Sequence, residues 1–268
     1  MKSPKEIALE RAIIREIGDL PLPLALAKEL FADVELQAMQ EYANVVSIRR
    51  LGYNDHGPVH MRMVALNALT MLNLLHEAGI PTSLEHDEAG TYEDSVCGVF
   101  LAALLHDLGM SVSRQEHEHL SVILAQPAIN HALKRVLPND LLRRVAIRSI
   151  ATEGIFGHMG TMKIHSLEAG LILVADGCDM TKGRARITLA VKTESQVGDI
   201  HKYSANSIES VTISRGAEKP IRIDVEMTEN VGFFQVEEVL MQKIAMSPAR
   251  RHLELYAGVK NEPRKRYL

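Results

Sequence analysis

Apolar residues return every three or four positions over most of the first 180 residues of the chain. This spacing places them on one face of a helix, so it predicts a series of amphipathic helices. The predicted helices cover residues 5–17, 24–47, 115–125, 127–136, 139–151 and 165–180, and another begins at about residue 59. Pro21, Pro127, Pro138 and the glycine-rich stretch 154–160 separate several of them. The polar residues 79–93 are expected to form a surface connection.

One segment is apolar on all sides instead of on one face. Residues 96–105 are ten consecutive apolar or small residues, which is long for a half-exposed element. The run predicts a helix over about 95–108 that is buried on most sides. His106 and Asp107 stand at its end, and Gly109 follows where a glycine commonly terminates a helix.

The character of the chain changes after Arg186. Residues 211–214 and 221–227 are rich in β-branched side chains and predict a β-hairpin, and residues 252–256 alternate like a further strand. Residues 233–246 are expected to form a helix, and the basic residues 260–266 a solvated tail. We therefore predict a mainly α protein, with a helical body over residues 1–186 and a small C-terminal α+β unit over residues 187–268.

Composition agrees with packed helices and with a soluble protein. Of 268 residues, 46% are hydrophobic and only 4% aromatic, with no tryptophan, which favours helices over a β-sandwich. The net charge of −4 is unlike that of a non-specific nucleic-acid or membrane binder. Since no apolar stretch reaches the roughly 18 residues that a membrane helix needs, a cytoplasmic location is expected. Cys97 and Cys178 lie in apolar stretches and are interpreted as core residues.

The pair His106-Asp107 carries most of the functional information. An imidazole and a carboxylate arrive together at the buried end of a core helix. A buried carboxylate must be paired or must bind a metal. Neutral imidazole with carboxylate is a normal ligand set for a divalent ion. The alternative for an isolated pair is an internal hydrogen bond.

Further candidate ligands lie at structured points of the chain. His60 lies in the first turn of a predicted helix. Pro58 is typical of such a first turn, and Asn54 or Asp55 is the expected N-cap. Asp176, in Val-Ala-Asp, shares a helix face with apolar residues and needs a partner. Between them in sequence stand His117, His119 and His158. The alternatives are a solvated helix start for the first two of these histidines and a flexible loop for His158.

The order of these residues resembles that of the HD superfamily of metal-dependent phosphohydrolases. The resemblance covers about residues 50–180 and rests on Asp-His-Gly-Pro-Val-His, Leu-Leu-His-Asp-Leu-Gly and Val-Ala-Asp. It implies an all-helical HD-domain bundle with the metal site in its middle. It also implies four signature ligands, namely His60, His106, Asp107 and Asp176. Some members hold a second ion with extra histidines, for which His117 and His158 stand at suitable places.

Several residues compete with this assignment. His119 competes with His117, and Asp179 with Asp176. His86-Asp87 is a second such pair, but it lies in a polar stretch with no apolar helix before it. His56 precedes His60 by four positions, yet Gly57-Pro58 intervenes and no glutamate follows as a metalloprotease motif requires. We expect His56 to hydrogen-bond near the site instead.

A bound divalent ion would supply the chemistry of phosphate ester hydrolysis, because it lowers the pKa of water and polarises phosphoryl oxygens. His106 and Asp107 are the predicted catalytic residues, and Asp107 can bridge two ions. One or two ions of Mn²⁺, Fe²⁺, Zn²⁺, Ni²⁺ or Co²⁺ suit such ligands, and Mg²⁺ stays open. Arg184 and Arg186 are expected to grip the substrate phosphate, with His201 nearby.

The sequence thus predicts a metal-dependent phosphohydrolase that acts on a small phosphorylated molecule, with a nucleotide as the first candidate. The alternative is a non-catalytic sensor that binds a nucleotide in the same pocket and signals through the C-terminal unit. A nucleic-acid or membrane partner is not expected, and a homo-oligomer is left open.

Overall fold

The structure is a computed structural model that describes residues 2–181 and 204–268. Its first part is helical throughout, and the second contains a small sheet. The helices of the first part are α1 (Pro4–Ile17), α2 (Pro21–Ala32), α3 (Val34–Val45), α4 (Pro58–Glu77), α5 (Ser83–His86), α6 (Tyr92–Leu105), α7 (His117–Val136), α8 (Leu141–Gly157) and α9 (Leu167–Cys178). A mainly α protein with a small C-terminal sheet was predicted, and this is confirmed.

Helix α6 is the centre of the helical body, as its sequence predicts. It packs against α4 and α8, and also against α2 and α9. A capping box of Thr91 and Asp94 starts it, and Arg143 of α8 donates hydrogen bonds to both carboxylate oxygens of Asp94. Within the described ranges, Tyr92–Ser111 is one helical stretch apolar enough to cross a membrane, but 94% of its apolar 18-residue window is buried in the protein. It is consistent with the core helix of a soluble protein.

Several predicted helix boundaries are wrong, and α8 for example continues to Gly157, past its predicted end at residue 151. The segment 24–47 was predicted as one helix, but the structure has α2 and α3, followed by a π-helical turn at Val46–Arg50. Asp33 divides them because its extended backbone and its carboxylate, which accepts from the amides of Glu35 and Leu36, form an N-cap. Pro127 was expected to separate two helices, yet it lies inside α7, on its exposed face.

The glycine after the core helix has a different role from the predicted one. Helix α6 ends at His106 without a glycine cap, and Gly109 lies in a following 3-10 turn, Leu108–Ser111. A Cβ at Gly109 would lie 2.1 Å from the backbone carbonyl oxygen of His117. Gly109 therefore permits the close approach of this turn to the first turn of α7. The predicted caps of α4, Asn54 or Asp55, are also wrong, since Gly57 is the N-cap residue.

The C-terminal sheet has the order β1-β2-β3-β4. Its strands are β1 (Ile208–Arg215), β2 (Ile221–Met227), β3 (Leu253–Val259) and β4 (Lys265–Arg266). The predicted hairpin is confirmed, with Val211 opposite Val225 in antiparallel register. Strand β3 runs parallel to β2 after a helical crossover that contains α10 (Phe233–Gln235), a π-helical turn (Val236–Leu240) and α11 (Met241–Met246).

The sheet packs on the helical body. Strand β1 contacts α4, and α11 contacts α9. Buried residues of β2 and β3, such as Ile223 and Leu255, belong to the same hydrophobic cluster as Phe100 of α6. The predicted boundary between residues 186 and 187 lies outside the described residues. The prediction of a solvated tail over residues 260–266 was wrong in part, because β4 pairs with β3 and Arg264 forms an ion pair with Asp224.

Candidate metal centre

The predicted ligands come together at one buried place in the helical body. His60 comes from the first turn of α4, His106-Asp107 from the end of α6, and Asp176 from the last turn of α9. His117 opens α7, and His158 follows α8. Five of these side chains are almost completely buried, and Asp176 is 9% exposed. The residues divide into two groups that share Asp107.

The first group, called the first centre here, consists of His60, His106, Asp107 and Asp176. The Nε2 atoms of His60 and His106 lie 3.2 Å apart. Asp107 Oδ2 lies 3.3 Å from each of these two nitrogens. Asp176 Oδ1 lies 3.2 Å from His60 Nε2 and 3.9 Å from His106 Nε2. Two nitrogens and two oxygens thus face one point.

The second centre consists of Asp107, His117 and His158. The Nε2 atoms of the two histidines lie 3.0 Å apart. The other carboxylate oxygen of Asp107, Oδ1, lies 3.2 Å from His117 Nε2 and 3.5 Å from His158 Nε2. Asp107 therefore presents one oxygen to each pair of histidines.

The four imidazoles turn Nε2 toward the centres and are held through Nδ1. Nδ1 of His106 donates to the carbonyl oxygen of Ala103, and Nδ1 of His158 to that of Ile155. Nδ1 of His117 likewise faces the carbonyl oxygen of Arg114, and Nδ1 of His60 faces a carboxylate. Because Nδ1 carries the proton in each neutral ring, Nε2 carries a lone pair. Two such lone pairs facing each other and a carboxylate repel unless a cation lies between them.

One buried atom gives an independent sign that the site fits a metal ion. Asp107 Oδ2 has no hydrogen-bond partner, although it is fully buried. Buried polar atoms in native proteins almost always have a partner, and an ion is one explanation of an exception. In the part of the chain that the structure describes, two groups of residues could hold an ion with one ligand atom each, namely His60, His106 and Asp176, and His106, Asp107 and His158. The buried His/Asp cluster can therefore hold a metal ion.

The charge states suit ligation. Burial alone would raise the pKa of Asp107, but the charge of His106 and His56 in their protonated forms, with side-chain contacts from His106 and His117, holds this pKa well below its usual range. Burial would also raise the pKa of Asp176, and the Lys243 ammonium with His60 lowers it well below that range. Burial lowers the pKa of His158 to about 4, so its ring is neutral at pH 7. Ionised carboxylates and neutral imidazoles are the forms that bind metals.

Asp179 acts on His60 and does not replace Asp176. Its Oδ2 lies 2.6 Å from His60 Nδ1, on the side of the ring away from the first centre. A carboxylate in this position fixes the tautomer of a metal-binding histidine and raises its basicity. The two aspartates have different roles because Asp176 lies in the last turn of α9, whereas Asp179 is the residue that follows the helix.

We expect Asp179→Asn to weaken metal binding at the first centre by about 10–100-fold, the usual effect of losing such a partner. The amide keeps the size of the side chain but removes the charge that favours the required tautomer. Metal affinity measured by calorimetry on the chelator-treated protein tests this. Asp87→Asn changes an exposed aspartate that contacts His86, and it serves as the control. An unchanged affinity in Asp179→Asn would contradict the assigned role.

Sequence reasoning missed a lysine at the first centre. Lys243 of α11 places Nζ 2.5 Å from Asp176 Oδ2 and 2.8 Å from the carbonyl oxygen of His158. It thus holds the second oxygen of Asp176 while Oδ1 faces the centre. No local signal marks Lys243, because it lies in an ordinary amphipathic helix 67 residues after its partner. The C-terminal unit therefore contributes a side chain to this site.

The competing histidines lie elsewhere. His119 is exposed and packs against the Phe156 ring, so the structure brings His117 and not His119 to the cluster. His86 and Asp87 pair with each other at the surface. His56 Nδ1 contacts Ser47 Oγ and the carbonyl oxygen of Asn54, and its ring lies 5.8 Å from that of His60, as expected of a neighbour.

The predicted phosphate-binding residues cannot be placed in the site. Arg184, Arg186 and His201 lie outside the described residues, and their assignment stays a prediction. Cys97 and Cys178 are buried with free thiols, which confirms the expectation of core packing.

Comparisons with known proteins give a relative but no activity. No family model matches the chain, and no solved structure matches it. The uncharacterized protein MJ1020 of Methanocaldococcus jannaschii is 38% identical over 241 residues, which are 90% of this chain and 91% of that protein. Similarity at this level over nearly the full length of both chains shows common descent. The chain belongs to the protein family of MJ1020.

Proposed function

We propose that the chain is a metal-dependent phosphohydrolase of the HD type that acts on a small phosphorylated molecule. One observation carries the proposal. Asp107 directs one carboxylate oxygen at His60 and His106 and the other at His117 and His158. A carboxylate in this position is suited to bridging two ions, which hydrolases of phosphate esters use together. The resemblance in ligand order supports the same reading.

In the proposed enzyme, the residues of the two centres have separate duties. His60, His106, Asp107 and Asp176 would hold one ion, and Asp107, His117 and His158 the other. Bound ions supply a nucleophilic water at neutral pH and stabilise charge on the phosphoryl oxygens. Asp179 orients His60, and Lys243 orients Asp176. The carbonyl oxygens of Ala103, Ile155 and Arg114 fix the other three rings.

The surroundings of the ligands favour this chemistry. The ligand side chains are buried, and Asp176 is the most exposed of them at 9%. Electrostatic interactions are stronger where water is excluded. Rigid ligands on helices keep their geometry as a substrate binds, which lowers the cost of reaching the transition state.

The proposal is tested by metal reconstitution. The protein is treated with a chelator, reloaded with Mn²⁺ and assayed for release of product from phosphomonoesters, nucleotides and cyclic dinucleotides. We expect turnover of at least one class with the metal and none without it. Tight nucleotide binding by the loaded protein with no turnover of any of these esters would contradict the hydrolase and favour the sensor.

A further inference from the structure

Arg114 stands at the second centre and is tied to it twice. Its carbonyl oxygen accepts from His117 Nδ1 at 2.9 Å. Its guanidinium Nη1 lies 3.2 Å from Nδ1 and 3.3 Å from Nε2 of the same ring. The same Nη1 lies 3.6 Å from the sulfur of Met159, the residue after His158. The side chain therefore spans the two segments that carry the histidines of the second centre.

The guanidinium carries a charge that its contacts leave uncompensated. In the described part of the chain, its side chain contacts His117, Met159 and the Tyr53 ring, whose centroid lies 5.6 Å away, and no carboxylate. The Met159 thioether is a weak hydrogen-bond acceptor, and the Tyr53 ring accepts no conventional hydrogen bond from the N–H groups of the guanidinium. Arg114 is partly exposed, so an incoming ligand can reach it.

The other basic side chain at the cluster is engaged. Among the described residues, Arg114 and Lys243 are the two basic residues whose side chains touch ligands of the centres. Lys243 already donates to Asp176 and to the carbonyl oxygen of His158. The only metal-binding atom of the two centres that the Arg114 side chain contacts is His117 Nε2. An ion bound to Nε2 would use the lone pair that now faces the guanidinium, so this contact would be lost. The donors of Arg114 then become available to an anion at the same ion.

We propose that Arg114 binds the phosphoryl oxygens of the substrate beside the second centre. The inference rests on the phosphohydrolase function proposed above and adds the residue that recognises the anionic group. An arginine fork matches phosphate geometry and can donate two parallel hydrogen bonds. Tyr53, over which the guanidinium lies, keeps the fork in place without competing for its donors.

The test measures binding of inorganic phosphate to the Mn²⁺-loaded protein by calorimetry, alongside the kcat and KM of any ester that is turned over. Arg114→Met keeps the length of the side chain and removes charge and donors. We expect it to weaken phosphate binding about tenfold or more, the effect of losing a hydrogen bond to a charged group. Arg114→Lys should lie in between, since it keeps the charge but not the fork. Metal content should equal that of the wild type in both.

Arg50→Met is the matched control. Arg50 also lies over a tyrosine ring, that of Tyr42 at 5.6 Å, but it touches none of the ligands. It should bind phosphate as the wild type does. A melting curve and the metal content of each variant show that the fold and the centres are retained.

The results separate this inference from the proposed function. If the wild type hydrolyses an ester and Arg114→Met keeps both its KM and its phosphate affinity, the role of Arg114 is overturned and the hydrolase stands. If no ester is turned over but phosphate binding depends on Mn²⁺ and on Arg114, the hydrolase fails and the role of Arg114 stands. A wild type that binds no phosphate when loaded overturns the role of Arg114.

Discussion

Asp107→Ala is expected to remove metal from both centres at once. Among residues 2–181 and 204–268, Asp107 is the one whose two carboxylate oxygens face different pairs of histidines. Its loss leaves the second centre with no carboxylate ligand and the first with Asp176 alone. Elemental analysis should find metal in the wild type and little in the variant. Any phosphoester turnover should fall by about 10³-fold or more, because residues that act as a unit lose their function together.

A comparison with a second variant tests whether Asp107 is a ligand of both centres. His117→Ala removes a ligand of the second centre only, so it should lower metal content by the share of that centre and leave the first loaded. Asp87→Ala is the control, because it alters the other His-Asp pair of the chain, which is exposed. Full metal content in Asp107→Ala, with a normal melting curve, would overturn the assignment of both centres.

Gly109→Ala is expected to damage the second centre through the backbone. The added Cβ would lie 2.1 Å from the carbonyl oxygen of His117 and 2.8 Å from the amide nitrogen of Ser121. These are backbone atoms of α7, so no side-chain rotation relieves the contact. The first turn of α7 must move, and His117 moves with it. The hydrogen bond from the Gly109 amide to Ser121 Oγ is strained by the same displacement.

We expect Gly109→Ala to lower the free energy of unfolding by about 3 kcal/mol, at the upper end of the usual cost of overpacking. Urea denaturation of the metal-free protein measures this, and metal analysis should show loss from the second centre. Gly79→Ala is the control, because no atom lies within 4 Å of its Cβ and its φ of +72° is the only source of strain. Gly79→Ala should lower the free energy of unfolding by about 1 kcal/mol and leave the metal content unchanged. Equal behaviour of the two variants would contradict the packing argument.

The contact of Lys243 with Asp176 changes the view of the C-terminal unit. It was predicted as a small α+β unit on the helical body, and it contains a four-stranded sheet with short helical segments. Yet α11 packs on α9 and contributes Lys243 to the first centre. Removal of this unit would therefore expose the last turn of α9 and leave Asp176 without its ammonium partner.

The sequence determined the features that depend on local pattern. The apolar run 96–105 was sufficient to predict a buried central helix, since burial on all sides removes its apolar side chains from water. The β-branched clusters around Gly216 and Pro220 were sufficient to predict a hairpin. The resemblance of the order of His60, His106-Asp107 and Asp176 to that of the HD superfamily selected residues that the structure brings together.

The tertiary structure alone decided features that depend on contacts between distant segments. His117 and His119 are two positions apart, so only the packing of α7 on the turn at Gly109 directs one inward and leaves the other in solvent. The partners of Asp176 and Asp179 come from α11 and α4, which no spacing within α9 reveals. Hydrophobic periodicity reports which side of a helix is buried, but not which element covers that side, because many partners satisfy the same apolar face.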